Sequence, residues 1–308
     1  MPDVATQFVV TKEHRRFSEL CDAVRRERYI GVCHGPPGVG KTESARRYAN
    51  WDELQPELRH STLTNAPGDA VDMEARTIFY TPNVHNTPRL IDKEVRTLQD
   101  RLGWLIEFET AGSNFKLSDI GTSGERLVEL LIVDEADRLK TPSLEQLRDH
   151  HDRTGIGLIL IGMPGIERRL ARYPQLYSRI GFAHEYRPLG KDELAFVLAH
   201  HWSAIGLTLS ASDFTDAEAI AAVARITGGN FRLVQRLFAQ ITRILEINSL
   251  ANDHPRGRRN RSRSPHHRNR VGRHDRSSVQ PEHRLGSSPR SRRPSREPAI
   301  DRSKNHAI

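Results

Sequence analysis

Gly35-Pro36-Pro37-Gly38-Val39-Gly40-Lys41-Thr42 follows the apolar run Tyr29-Ile30-Gly31-Val32-Cys33 and precedes the helix-forming Glu43-Ser44-Ala45-Arg46-Arg47-Tyr48-Ala49. A buried strand feeding a glycine-rich turn that opens a helix is the setting a phosphate-binding loop requires. Successive backbone N–H groups and the helix N-terminus then converge on one anion. Gly35, Gly38 and Gly40 let the backbone pass close to phosphates, Lys41 reaches the β and γ oxygens, and the Thr42 hydroxyl is a ligand for Mg²⁺. The whole stretch, with Pro36, Pro37 and Val39, is read as a phosphate cradle.

Such a loop needs a carboxylate-bearing strand beside it to hold the metal. Leu130-Leu131-Ile132-Val133-Asp134-Glu135 supplies one. Its apolar run reads as a strand buried on both faces, which delivers Asp134 to the carboxyl edge of a parallel sheet, where such folds bind their ligands. Asp134 is the expected Mg²⁺ holder, directly or through water. Glu135, one position on, is the expected group that polarises an attacking water.

Length and charge narrow the classes. The chain has 308 residues, enough for one large or two modest domains, and a formal net charge of +8. Residues 251–308 hold 16 Lys+Arg against 5 Asp+Glu, so residues 1–250 hold 31 against 34. The basic surplus is therefore confined to the tail, and a nucleic-acid surface on the body must be a local patch. Two cysteines, Cys21 and Cys33, make neither a disulfide framework nor a zinc site, and Cys33 reads as a small buried apolar residue. No secretory signal or span-length apolar run is visible, so a soluble, cytoplasmic protein without a membrane partner is expected.

Taken in order, residues 1–28 are a helical lead in which Thr11 caps a helix carrying Phe17, Leu20, Cys21 and Val24 on its inner face. Arg76–Tyr80 reads as a strand. Pro88 opens a helix with Leu90, Ile91, Val95, Leu98 and Leu102 as its core positions. Residues 103–123 lack a clear period. Within them Gly112-Ser113-Asn114-Phe115-Lys116 reads either as a plain surface loop or as a contact for a nucleic-acid strand. Pro142 starts a helix to about Arg153, Ile156–Ile161 is another all-apolar strand, and a helix with Ile166 and Leu170 follows. Strands alternating with helices, each strand continuously apolar, predict a parallel sheet covered on both faces over residues 29–187. Residues 188–250 show helices only, at 190–204, 213–227 and 229–247. Residues 251–308 are rich in Arg, Ser, Pro and His, contain no aromatic, and are expected to be disordered. That tail reads equally as a phosphate-contacting DNA arm or as the out-of-frame product of a frameshift. The adjacent histidines at 150/151, 200/201 and 266/267 point to different helix faces and lack partner ligands, so they read as solvated rather than metal-binding.

An α/β phosphate-loop domain followed by a helical lid, with Asp134-Glu135 ending the second motif, resembles the AAA+ ATPases. Gln175-Leu176-Tyr177-Ser178-Arg179-Ile180 is similar to the segment carrying the arginine finger in that superfamily. Thr227-Gly228-Gly229-Asn230-Phe231-Arg232 is similar to the motif that opens a lid helix. Within AAA+, His34-Gly35-Pro36-Pro37-Gly38-Val39-Gly40-Lys41-Thr42, Asp134-Glu135-Ala136-Asp137-Arg138-Leu139, Leu160-Ile161-Gly162-Met163-Pro164-Gly165 and Ser178-Arg179-Ile180 resemble the MuB/TnsC/TniB type of transposition helper, over about residues 8–250. The resemblance implies an ATP- and Mg²⁺-dependent ATPase that assembles with itself as a ring or helical filament, binds duplex DNA and acts on a transposase. It implies that Arg179 reaches the nucleotide of a neighbouring subunit, and that Arg232 touches the γ-phosphate from the lid. One departure stands out. The strand ending at Gly162-Met163 lacks the polar residue that usually helps place the attacking water, which predicts slow hydrolysis.

Other classes fit less well. The tetrad Asp134-Glu135-Ala136-Asp137 spells a helicase signature, but such helicases need a second RecA-like domain where this chain has only helices. In a monomeric small-molecule kinase the Arg179 and Arg232 segments have no purpose. A non-transposition AAA+ ATPase of ExeA-like secretion or regulatory type stays as the alternative.

Overall fold

The computed structural model describes residues 8–60, 72–111, 124–204 and 214–252. The loop at 112–116, the His266/His267 pair and the tail from residue 253 lie outside them. The described residues all fall within one compact unit, Met1–His254.

Helix α1 (Lys12–Glu27) starts where Thr11 Oγ1 accepts the His14 N–H at 3.1 Å. It stops at Arg28, whose backbone turns left-handed at φ 57°. Between these ends Phe17, Leu20, Cys21 and Val24 recur at helical spacing and are buried. Strands β1 (Ile30–His34), β2 (Thr77–Tyr80), β3 (Leu130–Val133), β4 (Gly157–Gly162) and β5 (Ile180–Glu185) form one parallel sheet in the order β2-β3-β4-β1-β5. The phosphate-loop strand β1 thus lies between β4 and β5, and β3 lies one strand beyond β4. Strands β2, β3 and β4 are buried throughout, as continuous apolar runs in a covered parallel sheet must be.

Helices α2 (Lys41–Tyr48), α3 (Trp51–His60), α4 (Pro88–Ala111), α5 (Gly124–Leu127), α6 (Thr141–Thr154), α7 (Ile166–Leu170) and α8 (Pro174–Tyr177) complete this layer. Three features differ from expectation. Helix α4 runs on to Ala111, through the stretch without a clear period, because Leu102, Gly103, Trp104, Leu105 and Ile106 are all buried and the helix is apolar nearly all round there. Helix α3 had no sequence assignment. It buries Trp51, Leu54 and Leu58 at 3-4 spacing despite Pro56 inside it. The strand β5 differs too: it is mostly exposed and carries Gly-Phe-Ala-His-Glu rather than an apolar run.

The histidines are corrected as well. His150, His151 and His201 are buried rather than solvated. His150 Nε2 lies 2.9 Å from Gln99 Oε1 on α4, and His151 Nδ1 lies 2.7 Å from the Ile156 carbonyl. Neighbours 100° apart on a helix both fall within a wide buried stripe. Among the described residues no cluster of three His, Cys, Asp or Glu is placed to hold a metal, and no helix is long and apolar enough to cross a membrane.

Helices α9 (Lys191–Ala204), α10 (Phe214–Thr227) and α11 (Phe231–Asn252) build a second, smaller apolar cluster from Leu189, Leu194, Val197, Leu198, Val223, Val234 and Phe238. Val9 of the N-terminal lead inserts into it. One buried valine contributes about 1.5–3 kcal/mol, against about 0.5–1.5 kcal/mol for a hydrogen bond such as Lys12 N–H to Glu193 Oε1 at 2.6 Å. Apolar burial is therefore the main tie between the lead and the three helices.

Candidate active site

The turn from β1 to α2 is held by glycine geometry. Gly38 and Gly40 take φ of 78° and 111°, a left-handed backbone that a side chain would strain. Gly40 is the N-cap of α2, so the free N–H groups of its first turn face the loop. Lys41 is nearly buried and its ammonium donates to the carbonyls of Gly35 at 2.7 Å and Pro36 at 2.8 Å. Burial pushes its pKa down, while the carboxylates of Asp134 and Asp137 pull the other way. A phosphate arriving here would replace two neutral carbonyl acceptors with charged ones, which bind an ammonium more strongly.

Thr42 and Asp134 come together. Thr42 Oγ1 donates to Asp134 Oδ2 at 2.8 Å, across 92 residues of sequence. Asp134 Oδ1 accepts the Glu135 N–H at 2.9 Å, and the Asp134 N–H donates to the Tyr80 carbonyl at 2.8 Å. Burial raises the Asp134 pKa, and the bonds from Thr42 and Glu135 oppose that rise. Two hard oxygen donors on adjoining elements suit Mg²⁺, which takes one or two protein oxygens together with substrate phosphates and water.

Glu135 is placed differently from its neighbour. Its backbone is left-handed at φ 48°, it caps the short 3₁₀ turn Ala136–Arg138, and its half-exposed carboxylate pairs with the Arg138 guanidinium. Arg138 also donates to the Pro82 carbonyl at 3.0 Å.

Arg232, second residue of α11, donates its backbone N–H to the Gly38 carbonyl at 2.9 Å. Its side chain is exposed, and among the described residues no carboxylate pairs with it. Arg179 lies at the other end of the sheet. Its carbonyl accepts the Ile30 N–H at the start of β1, and β1 must run four further residues, roughly 13 Å at about 3.3 Å each, before the loop begins. Its guanidinium grips Asp152 on α6 in a two-pronged ion pair at 2.6 and 2.7 Å and donates to the Gln175 carbonyl.

Three further residues belong to this region and had no assigned role. Asn230 Nδ2 donates to the Pro37 carbonyl at 2.8 Å, and a β-carbon on Gly38 would stand 2.6 Å from Asn230 Oδ1, so the lid segment rests directly on the loop. Tyr186 is buried behind the loop, its hydroxyl 2.8 Å from Ser44 Oγ and its pKa pushed up to about 12 by burial. Its carbonyl would lie 2.2 Å from a β-carbon on Gly35. Asp137 accepts the Met163 N–H at 2.6 Å. Asn230 and Asp137 had sequence signals, their places in the Gly-Gly-Asn-Phe-Arg and Asp-Glu-Ala-Asp motifs, and Tyr186 had none.

A family model described as an AAA domain matches residues 24–170. A Staphylococcus aureus protein named potential ATP-binding protein is 43% identical over 252 residues, which cover 79% of this chain and 90% of that protein. The Mu-like prophage FluMu DNA transposition protein B of Haemophilus influenzae is 34% identical over 244 residues, 76% of this chain and 72% of that protein. Among solved structures, Cdc6p from Pyrobaculum aerophilum matches with a TM-score of 0.50 at 16% identity, covering 81% of this chain and 67% of that one, a likeness of fold. Since that kinship in sequence extends from the nucleotide loop into the three-helix lid, the chain belongs to the AAA+ ATPases of the Mu transposition protein B type.

Proposed function

We propose that this protein is an ATP-dependent, DNA-binding regulator of transposition that assembles with itself and acts on a transposase, with slow ATP hydrolysis as the switch. The observation that carries the reading is the alignment with a protein named DNA transposition protein B along three-quarters of this chain. ATP sits in the cradle of Gly35 to Thr42, and Mg²⁺ is held by Thr42 and Asp134 once it parts their hydrogen bond. Lys41 then moves from the Gly35 and Pro36 carbonyls to the phosphates.

Arg179 works in trans. Its separation from the loop of its own chain supports a role on another copy, since head-to-tail stacking would bring that end of one copy against the nucleotide of the next. Arg232 reports on the γ-phosphate. Because its own backbone N–H is tied to Gly38, any displacement of the loop by a triphosphate is passed to α11 and the lid. A rotation between copies that fails to close yields a helical filament, and duplex DNA is its substrate.

Electron microscopy of the purified chain with duplex DNA and ATP, ADP or a non-hydrolysable analogue tests this. Ordered rings or filaments on DNA with ATP and its analogue, and none with ADP, are expected, together with low basal turnover that DNA or transposase raises. A chain that stays monomeric with saturating nucleotide and DNA, or that hydrolyses ATP rapidly as a monomer, overturns it.

A further inference from the structure

Three arginines meet in one cavity of about 220 Å³ at the carboxyl end of β2. Arg46 comes from α2, Arg59 from the last turn of α3 and Arg101 from α4. No carboxylate stands among the described residues that line it. Residues 1–250 are near neutral as a whole, so this concentration of one sign is the local patch that a nucleic-acid surface on the body requires.

The three guanidinium groups are held differently. Arg46 lies over the Phe79 ring, 5.7 Å from its centre, and is balanced by an ion pair with Asp52. Arg101 donates to the Leu58 carbonyl at 2.6 Å, which leaves other N–H groups of its five for a ligand. Arg59 is exposed and, among the described residues, has neither a carboxylate nor a carbonyl partner. Glu94, which borders the cavity, accepts the Tyr80 hydroxyl at 2.6 Å. No ion pair among the described residues engages Arg59 or Arg101.

The aromatic residues decide the kind of ligand. Trp51, Phe79 and Tyr80 line the cavity yet are at most 6% exposed, because they pack into the core beneath it. A nucleobase therefore finds no open ring face to stack on, which disfavours single-stranded nucleic acid and free nucleotides. An apolar peptide side chain likewise finds no open socket. What a ligand meets is guanidinium, whose fork matches phosphate oxygens. The site is also separate from the ATP loop, since β2 lies three strands from β1, roughly 14 Å at about 4.8 Å per strand.

We propose that this arginine cavity binds a backbone phosphate of duplex DNA, with Arg59 as the leading contact; this rests on the reading of the protein as a DNA-binding ATPase. A contact of this kind responds to charge and not to base identity, so it positions the chain on the duplex without selecting sequence.

Fluorescence anisotropy of the full chain with Mg²⁺, ATP and duplexes of two unrelated sequences, over a range of salt, tests this. Arg59→Glu is expected to weaken binding to both duplexes about tenfold, the scale of one charge-assisted hydrogen bond. It should also make the plot of log affinity against log salt shallower by about 0.9. Arg59→Lys keeps the charge and should retain most of the affinity. Arg225→Glu makes the same change of charge on α10 and should bind DNA as the wild type does. Tm and affinity for a fluorescent ATP analogue are expected to stay unchanged in all three. Wild-type affinity and slope in Arg59→Glu, or an equal loss in Arg225→Glu, overturns the site and leaves the DNA-binding reading standing. So does an Arg59→Glu protein that binds DNA normally but loses affinity for inorganic phosphate, which makes the cavity a free-anion site, or for poly-glutamate, which makes it a site for an acidic protein segment. A wild-type chain that binds ATP but no duplex removes the DNA-binding reading and the site together.

Discussion

Asp134 shows at the scale of one residue how function and stability pull apart. A buried carboxylate is costly, and here the cost is offset by two hydrogen bonds, one from Thr42 and one from the next backbone N–H. Lys41, Thr42 and Asp134 were legible in the sequence because a phosphate loop and a metal-bearing strand fix residue types at set spacings. The company Glu135 and Asp137 keep was not legible. Two residues apart in one tight turn, they part company because the left-handed backbone at Glu135 directs one carboxylate to Arg138 and the other to Met163. His150 was misread for a related reason, since burial depends on what α4 brings to it. Its pKa is pushed down to about 4, first by burial and then by the nearby Arg96 charge. A histidine whose folded pKa lies below its unfolded value of about 6.5 keeps the fold at full stability above that value and costs stability as pH falls toward 4. His150→Leu should therefore flatten the dependence of Tm on pH between 6.5 and 4. It should not abolish it, because burial also lowers His14, His184 and His201. Parallel melting curves for variant and wild type across that window would contradict this.

At the scale of elements, the pairing of α6 with the start of β5 sets where Arg179 rests. Burial raises the Asp152 carboxyl, but Arg179 and Arg148 together hold it below its usual range. A partly exposed ion pair of this kind is worth roughly 1 kcal/mol or less, while an arginine delivered to a transferring phosphoryl group accelerates reaction by about 10³–10⁵, equivalent to roughly 4–7 kcal/mol. If Arg179 acts in trans as proposed, Asp152 is the resting place it leaves for a neighbour's nucleotide. Arg179→Ala is expected to lower DNA-stimulated turnover about 10³-fold with ATP affinity retained, and Asp152→Asn to leave turnover unchanged or modestly raised. Loss of turnover in Asp152→Asn matching that of Arg179→Ala would mean that the pair is needed intact. The buried strands β1 to β4 could be read from their apolar runs. Strand β5 could not, because it is mostly exposed and so needs no continuous apolar run, unlike the other edge strand, β2, which is buried throughout.

For the molecule as a whole, the partition of charge is decisive. A near-neutral body carries the nucleotide chemistry, and the cationic surplus lies beyond residue 250. Deleting residues 255–308 is expected to leave ATP binding intact, because Met1–His254 is a compact unit without them. It should weaken DNA binding at low salt and make the plot of log affinity against log salt shallower by about 0.9 for each phosphate that the tail neutralises. Filter-binding titrations over a range of salt would show this. An unchanged slope would assign all phosphate binding to the body.

The amino-acid order alone determined the glycine-rich loop between β1 and α2, the carboxylate that ends β3, the parallel sheet and the helices that follow it, because each is encoded by local spacing and by the period of apolar residues. Only the tertiary structure decided that Asp137 fills the place over Gly162, that Glu135 answers to Arg138, that Arg179 rests on Asp152 far from its own loop, and that Asn230 and Arg232 seat the lid on Pro37 and Gly38. Those pairings join residues through the crossing of strands and helices, and a pairing made by topology leaves no periodic trace along the chain.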